Sequence, residues 1–166
     1  SGLFGLSQGL AKSRKSAVIS VLLIVLAGNL YFLFKPPADF AVAFDKIWSP
    51  TRGIQSSISE YPFFTLIFGD MHPHLMSLPF QVLFLALLFN LFSTETKSWP
   101  PKKEELFRLV AIARSLGFLI GVNIWDFFSY TAVLVLAGLV LWRTQRSIKA
   151  FVPIGAILLL SLVLYA

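Results

Sequence analysis

The amino-acid sequence predicts an all-α fold: a polytopic transmembrane helix bundle of about five spans with a cytoplasmic N-terminus. Three observations lead there. Of the 166 residues, 57% are hydrophobic and only 13% charged, and the mean hydropathy of +0.78 lies well outside soluble averages. The apolar residues are gathered into runs of about 18, the length needed to cross a hydrocarbon core of roughly 30 Å. The basic residues cluster on one set of flanks between those runs. Residues 1–166 therefore read as a single membrane domain.

The opening stretch SGLFGLSQGLAKSRKS is small, polar and basic, and it leads into AVISVLLIVLAGNLYFLF, residues 17–34, which carries no charge. That is the first predicted span. It does not read as a signal peptide, because no small-residue cleavage site follows and LFKPP ends the run on bulky residues. Residues 35–74 form a mixed external loop with Asp39, Asp45, Glu60 and Asp70. The second span covers residues 75–92, with Pro79 tolerated near its start. A polar link with a Pro-Pro break precedes the third span, residues 107–124, and a short turn, NIWDFF at 123–128, precedes the fourth at 129–142. The basic link RTQRSIK then leads to a fifth apolar run, residues 150–166.

Charge sets the orientation. Lys12, Arg14, Lys15, Lys97, Lys102, Lys103, Arg108, Arg143, Arg146 and Lys149 all fall on one side of this arrangement. Only Lys35, Lys46 and Arg52 fall on the other, beside five acids: Asp39, Asp45, Glu60, Asp70 and Asp126. The basic side is cytoplasmic by the positive-inside rule. The motifs GDMHPH, residues 69–74, and NIWDFF are thereby delivered to one external face, as an external site requires. The net charge of +6 does not point to nucleic acid, because no basic patch is interleaved with aromatics on a polar background. There are no cysteines, which excludes disulfides, thiolate metal sites and cysteine nucleophiles.

The chemistry of GDMHPH depends on its backbone. Pro73 drives His72 towards extended geometry and can itself open a helix. If residues 70–74 are extended, Asp70, His72 and His74 share one side, and that trio suits a divalent metal or a general base with an orienting partner. If Pro73 starts the helix, Asp70 lies near its positive end and helical periodicity separates the histidines by about 200°, which disfavours a metal held by both. The structural reading of the same residues is a helix cap with histidines bonded to headgroups or loops. Glu60 reads equally as an interfacial acid beside an aromatic belt, and Asp126 as a loop acid or a partner for one of the histidines. Arg114, the one charge inside a span, is shallow enough to snorkel to the cytoplasmic surface. Gly117, Gly121 and Gly138 suit close helix packing.

The stretch WSPTRGIQSSISEYPFFTLIFGDMHPHLMSLPF, residues 48–80, resembles the signature of the large multi-span YYY membrane-protein family. The matching positions are Trp48, Arg52, Glu60, Pro62, Phe63, Phe64, Gly69, Asp70, His72, Pro73, His74, Pro79 and Phe80, with Met71 where leucine is usual. GVNIWDFFSY is similar to a second element of that family through Asn123, Trp125, Asp126 and Tyr130, with Phe128 in place of a proline. The Tyr-Tyr-Tyr-x-Gly element that names the family is absent and its members are several times longer, so the chain resembles an internal piece or a reduced relative.

The family is remotely similar to GT-C glycosyltransferases, which use lipid-phosphate-linked sugars and external-loop acids. The resemblance implies Asp70 or Glu60 as base, and His72, His74 and Asp70 as holders of a divalent metal or the donor phosphate. It implies Arg52 on a phosphate, and Asn123, Trp125 and Asp126 on substrate. The expected setting is a prokaryotic plasma membrane or an equivalent internal membrane, with membrane lipids, a lipid-linked sugar and other transmembrane subunits as partners. The alternative is a non-catalytic transmembrane subunit of a larger complex.

Overall fold

The structure, a computed structural model, describes residues 2–26, 65–66, 69, 71–93 and 103–165. Arg52, Glu60, Asp70, most of the predicted external loop and the second half of the first predicted span lie outside the described residues. All regular secondary structure among the described residues is helical. The chain divides into two compact units, essentially Leu3–Leu75 and Met76–Ala166.

In the first unit, the opening stretch is itself a helix, α1 (Gly2–Ala11), where the sequence suggested only a polar leader. Its close comes at Lys12, whose N–H donates to the Gln8 carbonyl at 2.8 Å and whose φ of +52° turns the chain out of helical geometry. Ser13 then starts α2 (Arg14–Leu26) by accepting a bond from Ser16 N–H through Oγ at 3.3 Å, as an N-cap serine does. Helix α3 (Pro73–Ser93) opens on a proline, whose missing N–H and fixed φ suit the first helical position.

The second unit holds most of α3 together with α4 (Lys103–Val122), α5 (Ile124–Gln145) and α6 (Phe151–Val163). Glu104 and Glu105 occupy the first turn of α4, where acids complement the helix dipole. A single residue, Asn123, separates α4 from α5. Its N–H donates to the Leu119 carbonyl at 2.8 Å, closing α4, while its extended backbone (φ −155°) and side chain cap α5. The expected turn at 123–128 is corrected accordingly: α5 begins at Ile124 and contains the expected span at 129–142. Asn123 followed three residues later by Asp126 is a helix-start pattern that the interfacial aromatics masked. Arg146 in left-handed geometry ends α5, and a short 3-10 turn (Ile148–Ala150) leads into α6.

Helices α3 and α5 are long and apolar enough to cross a membrane. Of the other predicted spans, α4 carries Lys103, Glu104, Glu105, Arg108 and Arg114, α6 is a shorter apolar helix of 13 residues, and α2 is described only as far as Leu26.

The core of the second unit joins Phe84, Leu88 and Leu91 of α3, Leu109, Ile112, Ala113, Leu116 and Leu119 of α4, Leu134 of α5, and Ile154 and Ile157 of α6. Their helical spacing puts them on one stripe of each helix. Small residues set the closest approaches. A Cβ on Gly117 would stand 2.5 Å from the Ser161 carbonyl oxygen, and one on Gly138 would stand 2.9 Å from Ile154 Cγ1. The expectation that these glycines serve packing agrees with that geometry.

Candidate functional site

The polar residues of the second unit meet where α3 and α5 begin. Asp126 is the third residue of α5, in the turn that Asn123 caps through Oδ1, which accepts from the Trp125 N–H at 3.3 Å. The helix dipole favours a carboxylate there. Three donors converge on one of its oxygens: Ser77 Oγ to Oδ2 at 2.5 Å, Gln81 Nε2 at 2.8 Å and Asn123 Nδ2 at 3.0 Å. Gln81 also donates to Ser77 Oγ at 2.6 Å and accepts from Tyr130 OH at 3.0 Å.

Helical periodicity explains the convergence. Ser77 and Gln81 are four apart in α3, and Asp126 and Tyr130 four apart in α5, so each pair forms one small polar stripe on an otherwise apolar helix. The stripes face each other because the helices start at the same end, and Phe84 meets Tyr130 edge-on one turn deeper, with ring centroids 5.6 Å apart. Ser77 is buried, and Gln81, Asn123, Asp126 and Tyr130 are partly buried. Unmade hydrogen bonds are costly among apolar side chains, so the network fixes its members' positions. One face of the Asp126 carboxylate, Oδ2, is saturated by side chains of this chain.

Of the predicted site residues, Asn123 and Asp126 are thus brought together. Trp125, between them in sequence, is 75% exposed. The sequence reading of Asp126 as a loop acid is replaced by a place in the first turn of α5, because Asn123 caps that helix. Ser77 and Gln81 were missed. Their signal was present as two polar residues one helical turn apart inside an apolar run.

His72 and His74 flank Pro73 at the start of α3. Because α3 begins at Pro73, the extended trio is replaced by the helix-start geometry. The two rings nevertheless lie near each other, with centroids 5.7 Å apart and planes inclined at 46°. The divergence of about 200° applies only when both residues are helical. His72 precedes the first turn and does not obey it; its carbonyl accepts from Leu75 N–H at 3.0 Å. With metal–nitrogen bonds of about 2.1 Å, rings at this separation are able to reach one ion. Among the described residues, however, no third histidine or acid joins them to form a metal-binding group. Arg114 is exposed on α4.

The family model described as Uncharacterized membrane protein (DUF2298) matches residues 1–166. No curated protein and no solved structure matches the chain.

Proposed function

The chain belongs to this family of uncharacterized membrane proteins, and from that premise we propose that it forms the external-face part of a GT-C-like glycosyltransferase using a lipid-phosphate-linked sugar. One observation carries the reading: the starts of α3 and α5 are tied at one end of the second unit through Asp126. That supports a common membrane face for the two motifs that resemble the YYY family. In this proposal Asp70 or Glu60 activates the acceptor hydroxyl as general base. His72, His74 and Arg52 meet the phosphate of the donor, where positive charge and hydrogen bonds stabilise the leaving group. Asn123, Trp125 and Asp126 line the acceptor side. A divalent metal bound by the histidines and Asp70 would supply further charge neutralisation.

A second reading is favoured by a specific observation. Three donors on a single oxygen of Asp126 suit a clamp between helices, and a non-catalytic subunit needs nothing more. Photo-crosslinking with a polyprenyl-phosphate sugar in vesicles containing the protein separates the two. Transferase function predicts saturable labelling that Arg52→Gln and His74→Gln each reduce at least tenfold while the thermal transition stays within a few degrees. Labelling that does not saturate, with Asp126→Asn lowering only the thermal transition, supports the subunit reading.

A further inference from the structure

The first unit carries a feature that the site does not use. On α1, at 100° per residue, Leu6, Leu10, Leu3, Ala11 and Phe4 share an arc of about 160°, interrupted only by Ser7. The opposite arc holds Gln8 and three glycines: Gly2, Gly5 and Gly9. Leu10, on this arc, is 61% exposed and Ala11 is exposed, while Leu3, Phe4 and Leu6 are half-buried. Immediately beyond it, the positive φ of Lys12 and the Ser13 cap break the helix into an elbow, so that α1 and α2 are separate rods.

The elbow is strongly basic. Lys12, Arg14 and Lys15 are all exposed, and their side chains make no ion pair among the described residues. No acid occurs anywhere in residues 1–38 to balance them. An apolar arc followed directly by cations, Lys12 in the elbow and Arg14 and Lys15 in the first turn of the otherwise apolar α2, suits a segment that lies in a bilayer interface.

We propose that α1 and its elbow form an interfacial anchor that docks on anionic lipid headgroups. Charge complementarity selects that occupant: the apolar arc sinks to the headgroup boundary while Lys12, Arg14 and Lys15 meet lipid phosphates. An uncharged bilayer offers only the first of these interactions. The docked position also sets the level at which α2 passes into the membrane. This inference stands independently of transferase activity, since it rests on none of the residues assigned to the site.

The absence of cysteine allows a direct test. Leu10→Cys is labelled with an environment-sensitive nitrobenzoxadiazole probe, and the full chain is reconstituted in phosphatidylcholine vesicles or in vesicles containing about a third phosphatidylglycerol. Quenching by doxyl-labelled lipid and by aqueous iodide is read in each. Docking predicts stronger lipid quenching and weaker iodide quenching in the anionic vesicles, reversed by high salt. A cation near an anionic surface shifts such an equilibrium about fivefold. Replacing Lys12, Arg14 and Lys15 together by glutamine should therefore reduce the docked fraction by roughly a hundredfold relative to the undocked one. The lipid and salt comparisons need only the labelled chain, so a poorly folding charge variant does not remove the test. Quenching that ignores both lipid charge and salt overturns the proposal. So does a probe shielded from both quenchers in both vesicles, because α1 then packs against protein.

Discussion

Two joints within the second unit are built by opposite means. Helices α4, α5 and α6 come together by backbone approach, with Gly117 against the Ser161 carbonyl and Gly138 against Ile154. Helix α3 makes few such approaches to its neighbours. Long side chains bridge it instead: Phe80 stacks on Phe118 of α4 at 4.0 Å, Phe84 meets Tyr130 of α5, and Ser77 and Gln81 reach Asp126. The difference matters in a membrane, where lipid tails are as apolar as the side chains they replace and association rests on close packing and interhelical hydrogen bonds. The glycine joint rests on close packing. The α3–α5 joint gathers polar groups at one end.

Breaking the close-packed joint has the largest expected effect. Gly117→Val places a Cβ against backbone that has no rotamer to yield, and should destabilise the bundle by about 3 kcal/mol, the upper range for overpacking. Equilibrium unfolding in mixed micelles reads this directly. Next is Phe84→Ala at about 2–3 kcal/mol. That is less than a full phenylalanine truncation, because the cavity cost remains while the water-transfer part largely vanishes in lipid. Asp126→Leu leaves the donors of Ser77, Gln81 and Asn123 without their acceptor and should cost about 2 kcal/mol. Its signature is local: hydrogen exchange should rise at the starts of α3 and α5 before it rises in α6. The smallest effect is expected of Tyr130→Phe, which removes only the bond to Gln81 and should cost about 0.6 kcal/mol, the average for such bonds between membrane helices. A Tyr130→Phe loss as large as that of Phe84→Ala would mean that the polar network, not the aromatic contact, carries the α3–α5 joint.

The two joints were unequally legible in the sequence. The glycines were readable because small residues in apolar runs have few roles other than close approach. Helix α3 was also readable, within a few residues, from its length and its opening proline. The start of α5 was misplaced because Trp125, Phe127 and Phe128 resemble an interfacial loop, and the cap at Asn123 was the stronger signal. The meeting of Asp126 with Ser77 and Gln81 was not legible. It joins positions 45 and 49 residues apart, and periodicity along one helix does not say which stripe of another it faces. Helix α1 was overlooked for a different reason: its glycines lower helix propensity, while the apolar arc is visible only when wrapped on a helical period.

The central claim is that α3 and α5 begin at the same end, tied through Asp126. Its most direct test is cross-linking between Ser77→Cys and Asp126→Cys in a chain with no other cysteine. Oxidation in native vesicles should form one intrachain disulfide, whereas Ser77→Cys paired with Thr144→Cys, at the far end of α5, should form none. The reverse pattern would contradict the account, since α5 would then run antiparallel to α3.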